Sequence, residues 1–65
     1  MIPRSLFEEL KDKRIRIFVK TLPDPHCVQT GKIETVTEHL IVLYDEEHDI
    51  RMYLPIEEIS LIRTI

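Results

Sequence analysis

From Arg14 onward the apolar residues of this chain fall in short strand-length runs, several of them alternating, joined by connections too brief to hold a crossover helix. Ile15, Ile17 and Val19 alternate with Arg14, Arg16, Phe18 and Lys20, which predicts a half-buried strand over 14–20. A parallel return needs about a dozen residues or more, so strands this closely spaced must pair antiparallel. Leu22-Pro23-Asp24-Pro25-His26 interrupts the ladder, because its two prolines bring no N–H. A second strand is expected over 27–37 and holds the only glycine, Gly31. Val28, Ile33 and Val36 do not keep one phase across it. Both features predict a strongly bent strand that serves two sheets or turns a barrel corner.

Thr37-Glu38-His39 makes a tight connection into a third strand over 39–45. Its Leu40-Ile41-Val42-Leu43-Tyr44 is apolar on both faces, as a central strand requires. Asp45-Glu46-Glu47-His48-Asp49 reads as a polar hairpin tip. Ile50, Met52 and Leu54 alternate with Arg51 and Tyr53 in a fourth strand over 49–54, which Pro55 ends. Pro55-Ile56-Glu57-Glu58 predicts a single helical turn, and 59–64 a fifth strand. Ahead of the strands, Ser5-Leu6-Phe7-Glu8 fits a capping box, and Leu6, Phe7 and Leu10 share one helical face. These signals predict a helix over 5–12, with Glu8 and Glu9 toward its start and Lys11 and Lys13 toward its end. The expectation is a mainly β domain over residues 1–65: a short N-terminal helix, then a five-stranded, strongly bent antiparallel barrel.

A chain of 65 residues buries only about 60% of its unfolded surface and needs further support. Cys27 is the only cysteine, which excludes an internal disulfide and suits a reducing compartment. With His26, His39 and His48 it shows no paired spacing for a zinc site. Self-association is what remains to stabilise the fold. No segment has the roughly 18 consecutive apolar residues of a membrane span, and Met1–Leu10 lacks the apolar run of a signal peptide. The expected location is the cytoplasm.

Net charge is −3, which opposes generic nucleic-acid binding, but the distribution is uneven. Residues 1–20 balance at +3 and residues 21–65 at −6. A basic first third on an acidic body provides either a local anion patch or a solvated face of mixed charge.

The chain resembles the Sm/LSm superfamily, and most of all its bacterial branch, the Hfq-type RNA chaperones. The resemblance spans almost the whole length. It rests on the helix ending Leu10-Lys11-Asp12-Lys13-Arg14, on the run Gly31-Lys32-Ile33-Glu34-Thr35-Val36-Thr37-Glu38-His39-Leu40-Ile41-Val42-Leu43, and on Tyr53-Leu54-Pro55-Ile56-Glu57-Glu58-Ile59-Ser60-Leu61-Ile62. It implies an Sm-like, SH3-type barrel and a ring of six or seven subunits, in which the fourth strand of one copy pairs with the fifth of the next. Ile50, Met52, Leu54, Ile59, Leu61 and Ile62 would then form the subunit interface. Bare sheet edges favour such pairing on physical grounds.

The resemblance further implies single-stranded RNA as a partner. The pore-side turn would be Thr37, Glu38 and His39, where His39 can stack on and hydrogen-bond a base while Glu38 repels phosphate. Lys11, Lys13, Arg14 and Arg16 would form a basic rim able to track phosphates, with Asp12 interrupting it. Leu54-Pro55 stands where the family carries a Lys-His pair after the Tyr, and the Leu22–His26 loop lacks the family's Asn-Gly turn. A second reading therefore stays open, a protein-interaction or scaffold module that keeps the barrel without binding RNA.

No enzyme, cofactor or metal is expected. His26 and Cys27 are adjacent in a strand and point to opposite faces, which is poor geometry for proton transfer. Asp45, Glu46, Glu47 and Asp49 offer oxygens for a hard cation, but no glycine among them makes the sharp turn of a calcium loop. They read as a solvated tip that discourages aggregation.

Overall fold

The computed structural model describes residues 2–65. A short helix, α1 (Arg4–Glu9), precedes β1 (Arg14–Val19), β2 (Val28–Val36), β3 (Leu40–Asp45) and β4 (Ile50–Pro55). A single 3₁₀ turn (Ile56–Glu58) then leads into β5 (Ile59–Thr64). All five strands pair antiparallel in one sheet of order β4-β3-β2-β1-β5. No helix among the described residues is long and apolar enough to cross a membrane.

The strands do not close into the expected barrel. β4 and β5 are the two ends of the sheet and do not pair with each other, so the sheet bends but stays open. The bend lies in β2, as its broken phase predicts. Its first half pairs with β1 from Val28↔Phe18 to Lys32↔Arg14, and its second half pairs with β3 from Lys32↔Tyr44 to Val36↔Ile41. The register slips between Ile33 and Thr35. That extra residue, Glu34, lets Ile33 and Val36 face the same side although they are three apart. Gly31 is buried at the bend, where β3 comes so near that a Cβ would meet the Tyr44 backbone.

The concave side holds the core. Phe7, Ile15, Ile17, Ile33, Ile41 and Leu43 have no solvent exposure, and Val19, Ile56 and Ile59 complete the cluster. In β3 Ile41, Val42 and Leu43 are all buried, as expected of a central strand apolar on both faces.

The helix departs from expectation at both ends. It starts on Pro3, whose extended backbone leads into the first turn, and no side chain caps it. Ser5 lies inside the helix, and Glu8 pairs with Arg4 at 3.0 Å instead of closing a capping box. Glu8 and Glu9 fall at the end of the helix, not its start. The helix stops before residue 12 because the sheet captures Lys11 and Asp12. Lys11 bridges Ile33, the Asp12 N–H donates to the Ile33 carbonyl at 2.9 Å, and Asp12 takes a left-handed φ of 68°. An aspartate tolerates that conformation better than most residues.

Candidate nucleic-acid interface

The connection between β2 and β3 is built by Thr37. Its N–H donates to the Leu40 carbonyl at 2.8 Å, its hydroxyl donates to the same oxygen at 3.0 Å, and the Leu40 N–H donates to Thr37 Oγ1 at 3.1 Å. Thr37 is thus committed to holding the turn. Glu38 and His39 are left at the tip, 84% and 87% exposed, with His39 Nε2 4.0 Å from Glu38 Oε1. The Ile56 N–H donates to the His39 carbonyl at 2.9 Å, which ties this turn to the one after β4. Arg4 closes the third side by donating from Nε to the Thr37 carbonyl at 3.1 Å, while Glu8 holds its other end.

The result is a cleft of about 250 Å³ lined by Ile2, Arg4, Glu38, His39, Pro55, Ile56 and Glu57. Its polar walls are two carboxylates, one guanidinium and one imidazole. Such walls suit the amino edge of a flat base better than a phosphate, since carboxylates accept from base N–H groups and repel phosphate oxygens. Of the turn residues expected to bind RNA, Glu38 and His39 line the cleft. Arg4 and the Pro55–Glu57 turn complete it. Sequence reasoning counted Arg4 only as a charge, and nothing in the spacing links position 4 to position 37.

The basic rim divides into parts. None of Lys11, Lys13, Arg14 or Arg16 lines the cleft. Lys11 and Lys13 are exposed beside Asp12 at the junction of α1 and β1. Arg14 lies across from Lys32, and both reach the single carboxylate of Glu46 at 3.5 Å, which offsets one of their two charges. Arg16 donates from Nε to Thr30 Oγ1 at 3.3 Å.

The proposed interface residues also separate. Ile50 and Leu61 are 51% and 44% exposed on the two edge strands. Met52, Leu54 and Ile62 are half-buried against the core. Ile59 is 3% exposed and belongs to the core, so its side chain is not free to face a neighbouring subunit. Tyr53, 66% exposed on β4, was missed because it falls on the opposite phase from the apolar alternation.

Two other clusters are accounted for locally. Cys27 Sγ donates to Asp24 Oδ1 at 2.8 Å, and that bond raises the thiol pKa and keeps the proton on sulfur. This is the opposite of an activated nucleophile. At the hairpin tip, ligand atoms of Asp45, Glu47 and His48 lie within 4.8 Å of one another. Asp45 already accepts from the Glu47 N–H at 3.0 Å and meets His48 Nδ1 at 2.8 Å, bonds that shape the turn.

Comparison with protein-family models, with curated proteins and with solved structures finds no match to this chain.

Proposed function

We propose that this chain assembles edge to edge, β4 of one copy against β5 of the next, into a closed homo-oligomeric ring of Sm-like type that binds single-stranded RNA. The carrying observation is the strand order, which leaves β4 and β5 bare at opposite ends of one bent sheet. Each edge presents unpaired N–H and C=O groups, a template for another strand. Apolar side chains at both edges, Ile50 and Tyr53 on one and Leu61 on the other, remain exposed in the single chain. A head-to-tail contact between two different edges makes rings when its rotation closes. In such a ring the cleft beside His39 would repeat once per subunit, and weak base contacts would gain avidity.

The scaffold reading is favoured by two observations: Glu38 and Glu57 line the cleft, and Glu46 pairs with both Arg14 and Lys32. Light scattering on the purified chain, followed by anisotropy titration with labelled oligo-U and oligo-A at low salt, separates the readings. Six or seven chain masses with salt-sensitive binding are expected. Placing lysines on both edges, Ile50→Lys with Leu61→Lys, should reduce the native mass to one chain. A wild-type monomer at micromolar concentration refutes the ring. A ring that ignores both oligonucleotides establishes the scaffold reading in its place.

A further inference from the structure

The chain has five arginines, and three of them are met by a carboxylate: Arg4 by Glu8 at 3.0 Å, Arg14 by Glu46 at 3.5 Å and Arg51 by Glu34 at 2.8 Å. Arg16 and Arg63 have no such partner among the described residues, and they are register partners on β1 and β5. Ile17 and its partner Ile62 face the core side, so Arg16 and Arg63 both point to the outer face. Directly opposed side chains in an antiparallel pair have Cβ atoms about 4.5–5.5 Å apart, and like charges at that spacing destabilise the sheet. The hydroxyl of Thr30, across from Arg16 on β2, is the only side chain bonded to either among the described residues. Edge pairing would not relieve the repulsion, because β4 (IRMYLP) carries no acid.

We infer that Arg16 and Arg63 together form a binding site for one phosphate group on the outer face of the sheet. Two guanidinium forks side by side match the oxygens of a tetrahedral anion, and each fork can donate two parallel bonds. The anion supplies the negative charge that the fold omits here and provides at the two other outer-face arginines, Arg14 and Arg51. Its chemistry is that of a phosphodiester in an RNA strand or of a free oligophosphate. The first source rests on the proposed RNA binding; the second does not.

The test titrates wild type, Arg16→Gln, Arg63→Gln and Arg51→Gln with labelled oligo-U and, separately, with inorganic tripolyphosphate. Arg16→Gln and Arg63→Gln are each expected to weaken binding of both probes about tenfold, the loss of a charge-assisted bond. Each should reduce the oligo-U salt slope by about one. Arg51→Gln, whose charge is already met by Glu34, should change affinity less than twofold. A folding defect is distinguished by melting without ligand, where removing one of two like charges should leave Tm unchanged or raised. If oligo-U binds and Arg63→Gln binds it equally, the pair is overturned while the RNA reading stands. If only tripolyphosphate binds, and Arg63→Gln weakens it by the expected factor, the pair stands and the RNA reading falls. If neither probe binds, both fall.

Discussion

Replacing Gly31 by alanine tests the idea that the bend in β2 depends on close approach of two backbones. The backbone at Gly31 is not in the left-handed region, so alanine can adopt it. In open space such a change stabilises by about 0.4–1 kcal/mol, because the unfolded chain has fewer conformations to lose. Here the space is missing. A Cβ at position 31 would lie 2.9 Å from the Tyr44 carbonyl carbon, closer still to its oxygen, and 3.2 Å from Leu43 Cγ. Leu43 is fully buried in the core, and the Tyr44 carbonyl belongs to the β2–β3 ladder beside the Lys32↔Tyr44 pair, so neither gives way freely. Relieving the clash means parting the strands where the sheet bends. Overpacking of this kind costs about 1–3 kcal/mol. The net loss is then roughly 1–2 kcal/mol after the entropic gain is subtracted. For a domain this small, that lowers Tm by about 5–15 °C. The assay is thermal and urea unfolding of wild type, Gly31→Ala and Gly31→Val, with Lys32→Ala as a neighbouring control. Measurements at several protein concentrations separate folding from assembly. Valine should be worse than alanine, and the control should melt within a few degrees of wild type. A Gly31→Ala protein that melts at or above wild type would refute the argument, because only the entropic effect would then operate.

Three further outcomes are expected. Phe7 is fully buried and docks the helix on the sheet, so Phe7→Ala should cost about 3–5 kcal/mol. That approaches the whole stability of a chain this size, roughly 3–10 kcal/mol, and a cooperative, near-wild-type melt would show that the helix is dispensable. Thr37→Val removes both side-chain bonds of the β2–β3 turn and should cost about 0.5–1.5 kcal/mol in urea unfolding. His39→Ala, at the exposed tip, should stay within about 0.5 kcal/mol, and the reverse ranking would contradict the turn as described. His48 is raised above its ordinary 6.5 by its bond to Asp45, and Asp45 is lowered below 3.8 by the same bond. The His48 contribution is complete below pH 6.5 and lost as pH rises through its raised value. The Asp45 contribution is complete above pH 3.8 and lost as pH falls through its lowered value. The His48 ring should therefore titrate above 6.5 by NMR, and Asp45→Asn should abolish the rise; a midpoint insensitive to that substitution counts against the pair.

The local alternation of apolar residues was enough to determine the five strands, their antiparallel pairing, the hairpin tip and the bend in β2. Each arises from neighbours within a few positions, where a period of two and a lone glycine have few structural solutions. The capping box failed because Pro3 stands at the N-cap, two residues before Ser5, and Arg4 takes Glu8 as its partner, while pairing with Ile33 ends the helix early. Only the tertiary structure decided which charges are free. Glu46 meets Arg14 and Lys32 across a hairpin, Arg63 comes to face Arg16 through strand order, and Arg4 reaches the turn at Thr37. Most of those pairings join positions about thirty or more apart in the chain, a separation over which periodicity carries no information. Whether the sheet closes was likewise set by register and twist summed over five strands, and their sum leaves β4 and β5 apart.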